Sequence, residues 1–287
     1  MSSSSLREAS EDDADAIAAL FAASFGDAHR VDAEEVRSWL RNEEIKPENV
    51  RVLEVAGRVV GYGDVWVEDG EVELDAAAPG HWEPFLEWAE SRGSLAAVFC
   101  PPGHELAALA ESRGYRYVRS SLTMQIELTD APSPSPLPAG IAVRTYRDED
   151  AEPLRAALNE AFVDGRNWHA VSATNFREFY LRARGFDPEL WLLAFDGTEL
   201  VGFSLAYGGR AGDPELGWVG TLGVRRPWRR RGLGEALLRR SFAALYDRGF
   251  RRIGLGVDAE NPTGARRLYE RAGMHEIRRQ DRWERRT

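Results

Sequence analysis

Apolar and polar positions alternate along "IAVRTY" (141–146), as a half-buried strand requires. Directly after it, "AEPLRAALNEAF" (151–162) places Leu154, Ala157, Leu158 and Ala161 on one helical face. "ELWLLAFDGTELVGFSLAYG" reads as two strands turning at Asp196-Gly197. "LGWVGTLGV" (216–224) is a further strand. "LGEALLRRSFAALYDRG" turns Leu233, Leu237, Leu238, Phe242 and Leu245 inward and stops at Gly249. "RRIGLGV" is a short buried strand, and "TGARRLYERAG" a second helix that Thr263 is able to cap and Gly273 to end. "MHEIRRQDRWE" closes the series as one or two edge strands.

The first part of the chain has the same order. A strand near "LREA" precedes a helix at "DADAIAALFAASF", and a hairpin turns at Ala56-Gly57 between "VRVLEV" and "RVVGYGDVWV". "EVELDAA", the helix "WEPFLEWAESRG", the strand "LAAVFC", the helix "HELAALAESRG" and a strand "YRYVRSSLTMQIEL" follow. Between the two series lies "TDAPSPSPLPAG" (129–140), with four prolines and no apolar period. The economical reading is two copies of one α/β unit: 1–128, a proline-rich linker 129–140, and 141–287.

Charge separates the copies. Through Ala139 the chain has 11 Lys and Arg against 26 Asp and Glu, a net −15; from Gly140 onward the counts are 26 and 21, a net +5. An anion site is therefore expected in the second copy. The total of −10 speaks against general binding to DNA or a membrane surface. Cys100 is the one cysteine, so an intrachain disulfide and a cysteine zinc site are excluded, and its place at the end of "LAAVFC" reads as a buried small hydrophobe. The opening "MSSSSLREASEDDAD" lacks the pattern of a signal peptide, and no apolar run approaches a membrane span; a cytoplasmic protein is expected.

Five arginines (Arg225, Arg226, Arg229, Arg230 and Arg231) crowd the junction between strand 216–224 and the helix that follows. They end in Arg229-x-x-Gly232-x-Gly234. A strand-to-helix turn exposes the N–H groups of the first helical turn, and with the helix dipole these bind phosphate. Glycine admits a close backbone approach. A nucleotide-hydrolase loop is excluded because Lys46 is the only lysine, and "GLGVDA" (254–259) matches a dinucleotide fingerprint only by chance, since its glycines lie within a strand.

"TLGVRRPWRRRGLGEALL" followed by "GVDAENPTGARRLYERAGM" resembles the GNAT superfamily of acyl-CoA N-acyltransferases. Tandem copies with a weakened first one are most similar to mycothiol synthase and its relatives. The resemblance implies an α/β fold of two GNAT-like domains, each a mixed, mostly antiparallel sheet flanked by helices, with a splayed central strand pair. It implies acetyl-CoA as cosubstrate, with the pyrophosphate on Arg229, Arg230, Arg231, Gly232, Leu233, Gly234 and Glu235. The pantetheine would pair with Leu222, Gly223 and Val224, Asn261 would lie in the following turn, and Tyr269 would protonate the departing thiolate. The first copy has "AAAPGHWEPFLEWAE" at the corresponding place, with no Arg-x-x-Gly-x-Gly and with Glu83, Glu87 and Glu90 nearby, which would repel phosphate. It is expected to be catalytically inactive.

Acetyl transfer to an amine also needs a base and an oxyanion donor. Glu215, at the start of strand 216–224, is the candidate base, acting directly or through water. Asp164 and His169 are rival contacts on the acceptor side, and backbone N–H groups near Leu222 to Val224 are the oxyanion donors. No metal-ligand spacing occurs, so no metal is expected. The expected partner is a small-molecule or peptide amine, with no nucleic acid and no membrane, the protein being a monomer or homodimer. Two rival readings are a nucleic-acid patch built on the arginines and a catalytically silent acyl-CoA sensor or scaffold.

Overall fold

The computed structural model describes residues 4–26, 31–41, 45–133, 135–163, 170–183, 185–209, 213–261 and 264–287. Its contacts gather into two compact units, Met1–Ser121 with Arg278–Thr287, and Leu122–Ile277.

The first unit contains β1 (Ser4–Glu8), α1 (Ala14–Phe25), α2 (Ala33–Leu40), β2 (Val50–Val55), β3 (Arg58–Glu68), β4 (Glu71–Ala77), α3 (Glu83–Glu90), β5 (Leu95–Cys100), α4 (Glu105–Ser112) and the start of β6 (Arg116–Glu127). Strands β1 to β4 form an antiparallel meander, and β5 joins β4 in parallel. The hairpin turn at Ala56-Gly57 has φ of 51° and 78°, the two positive values of a type I′ turn. Helices α1 and α2 cover one face through Ile17, Phe21, Val36, Val52 and Tyr62. Helices α3 and α4 cover the other through Phe85, Leu86, Leu106 and Val98. Cys100 is fully buried in that second cluster, where burial pushes its thiol up to about 12.

The second unit repeats the plan with β7 (Ile141–Thr145), α5 (Ala151–Phe162), α6 (Ala173–Phe176) running into a π-turn at Arg177–Leu181, β8 (Phe186–Asp196), β9 (Glu199–Tyr207), β10 (Leu216–Val224), α7 (Leu233–Asp247), β11 (Arg252–Asp258) and α8 (Ala265–Arg271). β7 to β10 are antiparallel and β11 joins β10 in parallel. Leu154, Leu158, Phe176, Trp191 and Phe203 pack under α5 and α6, while Leu238, Phe242, Ile253, Leu255 and Met274 pack under α7 and α8.

One corner is built identically in the two units. The Arg7 guanidinium donates to both oxygens of Asp13 at 2.9 and 2.7 Å, and Arg144 does the same to Asp150 at 2.6 and 2.7 Å. Each aspartate also accepts a backbone N–H at 2.8 Å, from Ser10 and Arg147 respectively, at the entry to α1 and α5. Each carboxyl is held below its usual range, first by its arginine.

One expectation is corrected. The closing segment, expected as one or two edge strands, is one strand, β12 (His275–Arg286), and it is not at an edge, because β5 and β6 flank it. Its residues 281–286 pair antiparallel with β5 inside the first unit, where Arg282 is buried against Glu71, Glu73 and Glu284. Residues 122–128 belong in turn to the second unit, where the Leu128 N–H donates to the Arg251 carbonyl at 2.8 Å. The compact units thus meet in sequence at Ser121/Leu122 and at Ile277/Arg278. α2, α6 and the π-turn are elements that the apolar pattern did not signal. α2 buries only Val36 and α6 only Phe176, too few positions to register as a period.

Candidate functional site

The site of the second unit starts from a failure of strand pairing. β10 and β11 pair only from Leu216 to Trp218, opposite Arg252 to Gly254. Beyond that point β10 keeps its pairing with β9 as far as Val224, with a bulge between Val219 and Thr221. The two parallel strands therefore diverge as a fork. Groups of β10 that would point at β11 have lost their strand partner there and are open to an extended ligand. The arm from Val219 to Val224 is about 17 Å long at ~3.3 Å per step.

The turn at the open end leads into α7. Gly232 is the N-cap with φ of 84°, a left-handed conformation that a side chain would strain. Arg230, two residues earlier, also has a positive φ of 62°. The first N–H to bond back within the helix is that of Ala236, onto the Gly232 carbonyl at 3.0 Å, so those of Leu233, Gly234 and Glu235 face outward at the positive end of a 15-residue helix. Gly234 is a glycine for a different reason: a Cβ there would lie 3.1 Å from Leu268 of α8. Glu235, in the same turn, is drawn to Arg239 at 3.2 Å and Arg271 at 3.5 Å.

The five arginines do not act alike. Arg225 is held at 2.7 Å by Glu160 and by Glu199. The Arg229 guanidinium donates to the carbonyls of Val224 and Ala161 at 2.9 and 2.8 Å, tying the end of β10 to the end of α5. Arg226, Arg230 and Arg231 are exposed and supply the positive rim. A patch in which two of five guanidiniums serve the fold suits one small anion better than a nucleic-acid backbone.

Tyr269 of α8 belongs to the apolar cluster that holds Val219 and Leu222 of β10 and Leu255 and Val257 of β11. Its ring is 8% exposed, and burial pushes its hydroxyl up to about 12. Asn261 forms the turn after β11: its N–H donates to the Asp258 carbonyl at 3.1 Å and its own carbonyl accepts from Gly264 at 3.2 Å. The helix that follows is capped by Gly264. Thr263, expected as the cap, lies outside the described residues, as do Asp164 and His169.

Glu215 is not brought to the fork. Its side chain is 86% exposed, 3.8 Å from Arg252, at the closed end of the strand pair. Three residues separate it from Val219, about 13 Å of strand at ~3.3 Å per step.

Residues that the sequence reading passed over stand on the α5–α6 face of the fork. Gly220 lies in the bulge, and a Cβ there would be 2.6 Å from the Tyr207 ring. The Trp218 ring crosses β11 above Gly254, whose Cβ would lie 2.8 Å from it. Tyr180, on the π-turn, is raised above its ordinary range by burial, an effect that Thr221 partly offsets. The signal in the sequence was the run of glycines at 220, 223, 254 and 256, each beside an aromatic ring.

The first unit has a fork too, since β4 and β5 pair only as far as Leu74 and Val98. Its turn is filled by the chain itself. Glu105 Oε1 accepts from the Gly80 N–H at 3.0 Å and from the Trp82 indole N–H at 2.5 Å. Trp82 is 4% exposed in the cluster that holds Ala76, Ala78 and Cys100. Glu83, Glu87 and Glu90, expected as a repulsive group, gather around Arg113 at 3.1, 3.6 and 2.9 Å.

Among the described residues no group of three or more His, Cys, Asp or Glu is arranged to hold a metal, and no helix is long and apolar enough to cross a membrane.

Comparison with known proteins agrees with this geometry. Residues 151–274 match the acetyltransferase (GNAT) family. A mycothiol acetyltransferase of Beutenbergia cavernae is 32% identical over 270 residues, 84% of this chain and 85% of the relative. One from Propionibacterium freudenreichii subsp. shermanii is 31% identical over 234 residues, 76% of this chain and 71% of the relative. The crystal structure of a GCN5-related N-acetyltransferase from Sphaerobacter thermophilus superposes with a TM-score of 0.87 at 29% identity, covering 99% of this chain and 95% of that one. A tandem GNAT protein from the clavulanic acid biosynthesis pathway shares the fold at a TM-score of 0.69 and 18% identity, with 99% and 98% covered. With its forked strand pair, its left-handed glycine at the turn and its relatives over most of their length, the chain belongs to the GNAT family and is an acetyltransferase.

Proposed function

We propose that the second unit transfers acetyl from acetyl-CoA to the amine of a small molecule, and that the first unit carries no chemistry. The observation that carries this reading is the fork of β10 and β11, with an outward-facing helix N-terminus at its mouth and Tyr269 in the apolar cluster that both strands share. The pyrophosphate would take the N–H groups of Leu233, Gly234 and Glu235 within the field of Arg230 and Arg231. The pantetheine would lie along Leu222 to Val224. The acceptor nitrogen attacks the thioester carbon, a C–N bond forms, and the oxyanion is held by freed N–H groups of β10. The C–S bond then breaks, and the sulfur takes the proton that burial keeps on Tyr269. The amine gives up its proton to water.

The names of the curated relatives favour an acceptor related to mycothiol. A thiol-release assay with acetyl-CoA over a panel of mycothiol-related amines, amino sugars and peptide N-termini tests the proposal. Thiol release that depends on one amine class supports it. Tight binding of acetyl-CoA without release for any amine would favour the silent sensor instead.

A further inference from the structure

The bulge of β10 is the point at which the fork begins, and its glycine is not explained by backbone conformation. Gly220 has no positive φ, so any residue could adopt its dihedrals. Its neighbour excludes a side chain: a Cβ would lie 2.6 and 3.1 Å from Cε2 and Cδ2 of Tyr207. Real Cβ atoms do not approach carbon that closely, so either ring or strand would have to move. The ring has little freedom to retreat. Tyr207 is paired directly across from Trp218 on β10, and it meets the fully buried Trp191 edge to face at 5.9 Å. Trp191 is wedged in turn by Tyr146 at 5.2 Å and Phe186 at 4.8 Å. A rigid stack of rings therefore ends on the backbone of one glycine, at the residue where β10 takes in an extra position relative to β9.

We propose that Tyr207 is a positioning residue for acyl transfer: its ring, backed by Trp191, presses on Gly220 and sets the bulge that aims the unpaired N–H groups of β10 into the fork. This rests on acetyl-CoA lying along that arm. A bulge shifts by one residue which N–H groups face the neighbouring strand, so its register decides whether the donors beyond it point at the thioester oxygen or away from it. An error of about 1 Å in a donor of this kind is costly to rate and nearly neutral to binding. Pyrophosphate binding, at the far end of the arm, would be spared. The role belongs to the ring and not to the hydroxyl.

The test uses the full chain with acetyl-CoA carrying ¹³C at the thioester carbonyl. Gly220→Ala is expected to lower kcat at least tenfold while acetyl-CoA affinity, by calorimetry, stays within threefold. The infrared carbonyl stretch of the bound thioester should move back toward its value in water. Tyr207→Ala is expected to lower kcat at least fivefold, and Tyr207→Phe to recover most of that loss. The double variant Gly220→Ala/Tyr207→Ala should be less impaired than the product of the two single effects, because the clash is gone. Thermal melts identify any variant that fails to fold, and Tyr207→Leu, which removes the flat ring but keeps apolar bulk, then stands in for Tyr207→Ala. Gly220→Ala with kcat within twofold and an unmoved carbonyl stretch would overturn the proposal, as would Tyr207→Phe no better than Tyr207→Ala. If the wild-type protein acetylates no amine, the proposed function fails by itself, and the carbonyl stretch of bound acetyl-CoA still decides the role of Tyr207.

Discussion

The two units carry the same strand-to-helix turn in two conditions. In the second, the turn from Arg225 to Gly232 ends on a left-handed glycine, and the first N–H groups of α7 face outward among exposed arginines. In the first, the N–H of Gly80, two residues before the cap of α3, is bonded to Glu105, and the indole of the cap residue Trp82 joins the same oxygen. An internal carboxylate thus stands beside the turn that, in our reading of the second unit, takes an external anion. The forks are alike, with parallel pairing of β4 to β5 and of β10 to β11 that stops partway. Strand divergence is therefore common to the two units, and in our reading ligand binding is decided at the turn, by whether the chain satisfies its own donors. Helix α3 has eight residues against fifteen in α7, and Trp82 in place of a glycine at its cap, so the first turn is also the poorer anion site in backbone terms.

The strongest way to break this comparison is to strain the turn of the second unit. Gly232→Val/Gly234→Val is expected to abolish acetyl-CoA binding by calorimetry and all transferase activity. Valine cannot readily hold φ of 84° at position 232, and at 234 it would press on Leu268. Activity surviving the double change would mean that the first unit is catalytic. Next in size is Tyr269→Phe, which should lower turnover about 10²-fold, the usual scale of an acid–base contribution, with acetyl-CoA affinity nearly unchanged. The first unit offers no equivalent, so turnover within about twofold of wild type would remove the tyrosine from the distinction between the two.

Most of this contrast was legible in the sequence because it is local. Arg229-x-x-Gly232-x-Gly234, the charge of the two halves and the absent first loop are features of adjacent residues. The strand-and-helix order was legible too, since each long element buries a periodic face. What was not legible depends on partners distant in the chain. Glu105 is 25 residues from Gly80, and nothing in "HELAALAESRG" says that its glutamate turns back onto the earlier turn. Arg229 counts as rim charge until Ala161, 68 residues away, accepts its guanidinium. Glu215 looked like a base by its strand and is exposed at the wrong end of it. β12 reads as an edge because its polar residues suggest solvent, whereas Arg282 is buried by carboxylates of β4 and of its own strand.

Where the two units agree, they should respond alike. Asp13→Asn and Asp150→Asn each replace a carboxylate that is 7% exposed and bonded by two guanidinium nitrogens and a backbone N–H. Each should destabilise by about 2 kcal/mol at neutral pH, the range for hydrogen bonds to charged groups. The pH dependence has a definite sign. Both carboxyls are held below their ordinary value in the folded chain. Their contribution is therefore complete above about pH 4, the unfolded value, and is lost as the pH falls through the lower folded value. Urea midpoints between pH 3 and 7 check this: the gap between wild type and either variant should close at the acid end. A gap that stays open in one unit only would show that the shared corner is not doing the same task in both.

The smallest effect is also the most specific to the contrast. Glu105→Ala removes the internal anion of the first unit and leaves the Gly80 N–H and the Trp82 indole without their shared acceptor. Because the carboxylate is exposed, water replaces much of what is lost, and a destabilisation of about 1 kcal/mol is expected by urea melt. Wild type is expected to titrate with one acetyl-CoA per chain, and so is the variant. The reason lies in Trp82: its ring is packed among Ala76, Ala78 and Cys100, where a pantetheine would have to enter, and removing the carboxylate does not move it. A second molecule bound by Glu105→Ala but not by wild type would show that the carboxylate alone had kept the first turn shut, and that its fork is as open as the other. A second molecule bound by wild type itself would show that Glu105 yields to a phosphate, and the two turns would then differ in affinity only.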